Sequence, residues 1–142
     1  MPKQQKVEYS QVKPGYEFPP VSYQLDSGLV ATYLKAVGET SNLYRDSKLV
    51  PPMAIAAYAM AALSEGFAVP PGAIHVSQEI EFKDTVSIGD TITCQATVSR
   101  KQDRRRLHLL TADLSVFTQS QKKVLAGKTS FVLPEQDRGK GS

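Results

Sequence analysis

The sequence predicts an α+β fold in which one antiparallel sheet is wrapped around a central helix. Three observations predict it. The stretch MAIAAYAMAAL, residues 53–63, is apolar on almost every side, as a helix buried on all faces must be. Everything after Pro70 and Pro71 reads as long strand-like segments separated by short polar turns. A sheet of that length must hide its apolar face, and the apolar helix is the one element able to cover it.

The elements follow in order. Asp26 or Ser27 can cap a first helix, whose apolar positions Val30, Tyr33, Leu34 and Val37 recur at helical spacing and which Gly38 stops. Pro51 and Pro52 suit the first turn of the second helix, because proline lacks only an N–H that would be unpaired there. In the next segment Val76, Gln78, Ile80 and Phe82 are expected on one face of a strand, with His75, Ser77, Glu79 and Glu81 on the other. Ile92, Cys94, Ala96 and Val98 form the inner face of the following strand, entered through the turn Ile88-Gly89-Asp90. Leu107 to Phe117 and Val124 to Leu133 give two more, joined by a polar turn around Ser120. The domain is expected to span residues 12–134, with flexible tails at 1–11 and 135–142.

Size and composition narrow the class. A chain of 142 residues has room for one core, and 41% hydrophobic with 22% charged residues fits a water-soluble globular domain. The longest apolar run, Ala54 to Leu63, is too short to span a bilayer. No basic-then-apolar secretory segment opens the chain, so a cytoplasmic protein without membrane attachment is expected. The single Cys94 cannot form an internal disulfide, which agrees with a reducing compartment. Net charge is +3, and the dense basic cluster Arg100, Lys101, Arg104, Arg105 and Arg106 has no interleaved aromatic residue, which argues against nucleic acid. Its bland reading is a solvated hairpin turn; its functional reading is an anchor, through Arg104 and Arg105, for a phosphate-bearing carrier.

Several stretches together resemble the MaoC-like hydratases and dehydratases, a family with the hot-dog fold. YEFPPVSYQLD looks like that family's opening strand, and KAVGETSNLYRD like its A-x-G-D-x-N-P-L-Y segment. LVPPMAIAAY is similar to the start of its central helix, and HVSQEIEFKDTVSIGDTIT to its H-x-x-Q-x-F strand and following G-D turn. The likeness runs from about Val12 to Pro134. It is nearest to the non-catalytic branch, the dehydratase N-terminal domain that also serves as partner subunit of the mycobacterial (3R)-hydroxyacyl-ACP dehydratase.

The resemblance implies a chemistry and a departure from it. Catalytic members carry G-D-x-N-P-x-H, because adding water to an enoyl thioester needs one group to activate the water and one to manage the proton at the α-carbon. Backbone donors at a helix N-terminus stabilise the charge that develops on the thioester oxygen. Here the aspartate position holds Glu39, the asparagine Ser41, the proline Asn42 and the histidine Tyr44. Glutamate keeps a carboxylate one methylene further out. A phenol, with a pKa near about 10, is a poor base at neutral pH. Tyrosine there is also what the non-catalytic branch carries. By the same resemblance Ser41, Asn42, Pro51, Pro52 and Met53 line the substrate site.

His75 has two readings, a hydrogen-bonded structural histidine near a subunit interface or a substitute base reaching the thioester. His108 reads as structural, and two histidines without carboxylates or cysteines at ligand spacing point to no metal. Glu79 and Glu81 read as a solvated outer face, Cys94 as packing, and Tyr33, Tyr58 and Met60 as core. No organic cofactor is implied. The leading function is a subunit that binds acyl-CoA or acyl-ACP thioesters, as a homodimer or as a heterodimer with a catalytic MaoC-like subunit. An active homodimeric enoyl-CoA hydratase using Glu39 or His75, a hot-dog thioesterase using Glu39, and a binding module without chemistry are the alternatives.

Overall fold

The structure, a computed structural model, describes residues 6–36 and 48–134. After a short 3-10 turn at Tyr9–Gln11 come β1 (Val21–Gln24), α1 (Ser27–Ala36), α2 (Pro52–Gly66), β2 (Ile74–Phe82), β3 (Thr91–Arg104), β4 (Leu107–Thr118) and β5 (Lys123–Pro134). The strands form one five-stranded antiparallel sheet in the order β1-β3-β4-β5-β2. Helix α2 packs across the middle strands β3 and β4, so the predicted α+β hot-dog architecture is present.

Each element has the local cause its sequence suggests. Asp26 caps α1, its Oδ1 accepting from the Leu29 N–H at 2.8 Å. Pro51 precedes α2 and Pro52 is its first residue. Ile92, Cys94, Ala96 and Val98 are buried on the concave face of β3, opposite the buried Thr118, Val116, Leu114 and Ala112 of β4. Burial pushes the Cys94 thiol up to about 12, so it stays protonated and unreactive.

Three expectations change. Helix α2 is not buried on every side: Ala54, Ile55, Ala59 and Leu63 face the sheet, whereas Met53, Ala57 and Ala61 are exposed. A single sheet covers only the side turned towards it, and alanine exposes little apolar area. The simple alternation expected for β2 also fails. His75 pairs with Phe131 and Ser77 with Ser130, so Val76 is an extra residue, a β-bulge. The bulge moves His75 to the concave face shared by Gln78, Ile80 and Phe82. Ser77, Glu79 and Glu81 remain together on the convex face.

Residues 7–11, expected in a flexible tail, instead dock on the core. Val7 bridges to Phe67, donating to Gly66 O at 2.9 Å and accepting from Ala68 N at 2.8 Å. Tyr9 stacks on His108 with ring centroids 4.6 Å apart, and its hydroxyl donates to Asp103 Oδ1 at 2.7 Å. Two hydrophobic anchors in an otherwise polar segment suffice to hold it. The tail 135–142 lies outside the described residues.

Candidate functional site

The site that the sequence marks is centred on the start of α2. Val50 donates to Val86 O at 2.8 Å, Leu49 bridges to Ser87, and Ile88 donates to Lys48 O at 2.6 Å. The approach to the helix is thereby tied to the turn that feeds β3. That turn is itself braced. Asp90 accepts from Gln119 Nε2 at 3.0 Å and from Ser87 N at 2.9 Å, and Gly89 holds a φ of 103°, which favours glycine. The Gln119 bond, then the Ser87 bond, hold the Asp90 carboxyl below its usual range.

A depressed folded-state pKa stabilises the fold above the unfolded value, about 4, and the contribution disappears as pH falls through the folded value. Asp90→Asn keeps one acceptor and turns a donor towards either Gln119 Nε2 or Ser87 N–H, so it should cost about 1–2 kcal/mol at pH 7. Denaturant titrations should show the gap to wild type constant above about pH 5 and closing below about pH 4. A gap that does not change on acidification would mean that Asp90 is not the titrating brace.

The helix start offers few donors. Pro51 and Pro52 have no N–H, and Ala54 N–H bonds back to Pro51 O at 3.0 Å. Among the described residues the Met53 N–H is left without a partner, and the Met53 side chain is 62% exposed. Pro51 is buried and Pro52 exposed. One backbone donor, rather than a cluster, is what this first turn can aim at an oxygen.

The other candidates lie elsewhere. Glu39, Ser41, Asn42 and Tyr44 fall outside the described residues. His75 shares a 2.6 Å hydrogen bond with Thr129 Oγ1, which is fully buried, and stacks on Phe131 at 4.9 Å. It sits at the beginning of β2, whereas the end of β2 leads towards Val86 and the start of α2. Arg104 and Arg105 form the exposed β3–β4 hairpin, with Arg105 in the left-handed region at φ 51°. The hairpin neighbours Tyr9, which leads through Val7 to Phe67 at the far end of α2. The helix has 15 residues, so its two ends are about 22 Å apart. The structure therefore gathers Pro51, Pro52 and Met53 at one end, and His75, Arg104 and Arg105 towards the other.

Two clusters escaped sequence reasoning. Asp103 Oδ1 lies 2.7 Å from both Tyr9 Oη and His108 Nδ1, while Lys101 Nζ lies 4.4 Å over the Tyr9 ring. Those hydrogen bonds, Tyr9 first and His108 second, hold the Asp103 carboxyl below its usual range. Beside α2, Tyr23 Oη donates to Glu65 Oε2 at 3.0 Å and its ring lies 4.9 Å from Tyr58; burial first, and Glu65 second, raise its pKa. The signal for the first cluster was present as a tyrosine in the polar N-terminal stretch. The hydrogen-bond partners of that tyrosine, 93 and 94 positions away, become visible only in the fold. Among the described residues no group of three or more side chains is placed to hold a metal ion, and no helix is long and apolar enough to cross a membrane.

Known structures share this architecture. An (R)-hydratase from A. caviae involved in PHA biosynthesis superposes with a TM-score of 0.72 at 20% identity, covering 87% of this chain and 98% of its own. The R-hydratase PhaJ1 from Pseudomonas aeruginosa gives 0.77 at 19% identity over 92% and 88% of the two chains. The C-terminally truncated HadBC (3R-hydroxyacyl-ACP dehydratase) complex from Mycobacterium tuberculosis gives 0.66 at 16% identity over 84% and 96%. No curated protein sequence matches significantly. Residues 13–126 match the family described as FAS1-like, dehydratase domain region. The chain belongs to that family, and its fold is the hot-dog of the MaoC-like hydratases and dehydratases.

Proposed function

We propose that the chain is a substrate-binding subunit of an acyl-thioester hydratase or dehydratase, working in the cytoplasm beside a catalytic MaoC-like partner or a second copy of itself. One observation carries the reading: GETSNLYRD holds Glu39 and Tyr44 where the resemblance calls for the aspartate and histidine that handle water and proton. The donor-poor helix start supports it. A single Met53 N–H can orient a thioester carbonyl, whereas stabilising a full oxyanion usually engages more than one donor. In this reading the acyl-CoA or acyl-ACP carbonyl meets Met53 N–H beside Pro51 and Pro52, while Ser41 and Asn42 contribute polar contacts. That the HadBC dehydratase is a complex of two proteins supports a paired assembly.

The test is purification alone and together with any MaoC-like neighbour, followed by enoyl-CoA hydration and thioester-hydrolysis assays. Acyl-CoA binding without turnover by the lone chain, and hydration once the partner is added, is the expected result. Rapid hydration by the lone chain would favour the homodimeric hydratase; hydrolysis without hydration would favour the thioesterase.

The pairing has a physical basis in the sheet. Among the described residues β2 is a nine-residue edge strand bonded only to β5, with Ile74 59% and Val76 49% exposed. Such an edge invites another strand, and the other edge, β1, is only four residues long. We therefore expect the β2 edge to pair with the β2 of a second hot-dog. Light scattering should report a dimer at micromolar concentration, and Val76→Pro should shift it towards monomer. A stable wild-type monomer would remove this part of the reading.

A further inference from the structure

We propose that the arginine end of the convex face is a docking surface for a protein partner that presents an acidic segment carrying an apolar side chain. This does not rest on the thioester reading. The cross-strand register assembles the surface. Ile74, Val132, Leu109 and Gln102 lie side by side across β2, β5, β4 and β3, and Arg104 lies opposite Leu107 in the next row. Leu107 is 52% and Ile74 59% exposed, an unusual concentration of aliphatic surface on a sheet face. Beside Leu107 a depression of about 350 Å³ is lined by Gln102, Arg104, Leu107, His108, Leu109 and Val132.

Charge identifies the kind of occupant. Arg104 lines the depression, Arg100 lies on the same face of β3, and Arg105 and Arg106 form the adjoining turn; all four are exposed, and among the described residues none of them is ion-paired. Arg100 Nη2 donates only to the neutral amide of Gln102, at 2.8 Å. The nearby Asp103 does not offset them here, because it faces the concave side with His108 and Tyr9. Glu79 and Lys128 share a depression with Arg100, and beyond them this end of the face is net positive, which repels a second copy of the same patch and attracts an acidic surface. The floor of the depression, Leu109 and Val132, is recessed behind Leu107, so it suits a single inserted side chain better than a flat lipid surface. The patch lies on the sheet face away from α2, and pairing through the β2 edge leaves it open.

The test places a photoreactive benzoylphenylalanine at Leu107 of the full chain and irradiates it in the native host. The expected cross-link maps to a second protein, within a segment of net negative charge bearing an aliphatic or aromatic residue. Its yield should fall about tenfold or more in Arg104→Glu/Arg105→Glu and stay unchanged in Lys83→Glu, at the other end of the sheet. A synthetic peptide of the mapped segment should bind the purified chain, weaken as salt is raised, and lose about tenfold in affinity with Leu107→Ser. No cross-link, a cross-link to lipid or to a second copy of this chain, or one indifferent to the charge reversal would overturn the proposal.

Discussion

Replacing Glu39 by aspartate and Tyr44 by histidine together should convert a chain that hydrates crotonyl-type thioesters little or not at all into one that does so measurably. A general acid or base contributes on the order of 100-fold or more. The double replacement should therefore gain at least that much over the wild-type background, while each single replacement gains far less because the pair acts as a unit. Stopped-flow or absorbance assays of enoyl-CoA consumption read the result directly. If the wild-type chain proves active, Glu39→Gln should abolish the activity and Tyr44→Phe should lower it modestly, since a phenol orients substrate without accepting its proton. Loss of activity in His75→Ala with Glu39→Gln intact would move the chemistry to the other end of β2. A folded double variant that binds acyl-CoA and still does nothing would mean that the cleft serves something other than hydration.

The largest effect on stability is expected at Gly127, in the middle of β5. A Cβ there would stand 2.7 Å from the Glu79 carbonyl oxygen and 2.8 Å from Ile80 Cδ1 of β2. The isoleucine tip can rotate away, but the carbonyl belongs to a paired backbone and cannot. Gly127→Ala should thus push β2 off β5 and cost about 3 kcal/mol, the upper range for overpacking. By contrast, Gly15→Ala meets nothing within 4 Å and should cost only the strain of its φ of 95°. Because β2 is the edge expected to pair between copies, Gly127→Ala should weaken association as well as lower the denaturant midpoint. A variant with wild-type midpoint and oligomeric state would show that β2 is looser than its register implies.

Much of this fold was legible in the sequence because its signals are local. The proline pair and the alanine-rich run define α2, and the alternation Ile92, Cys94, Ala96, Val98 defines the buried face of β3. What escaped depends on cross-strand partners. A bulge such as that at Val76 is a property of two strands, so alternation within one strand misplaces His75. The docking of Val7 and Tyr9 depends on Phe67 and Asp103, which no window around residues 7–11 contains. For the site, the identity of Glu39 and Tyr44 was readable, and so was the lack of N–H groups at Pro51 and Pro52. That Arg104 and Arg105 stand at the opposite end of the helix from Met53 could come only from strand order.

The inserted residue in β2 has a consequence for how the strand tolerates changes in length. With Val76 removed, His75 and Ser77 become neighbours opposite Phe131 and Ser130, which are already neighbours, and every other pairing survives. Loss of Ser77 has the same result, with Val76 taking its place opposite Ser130 on the convex face, whereas loss of Glu79 or Ile80 with the bulge kept turns the rest of the strand over and carries Glu81 inward and Phe82 outward. The bulge, at Val76 and Ser77, is thus where a single-codon deletion leaves the register of the sheet intact. Related chains differing by one residue in this strand are expected to align with their gap there.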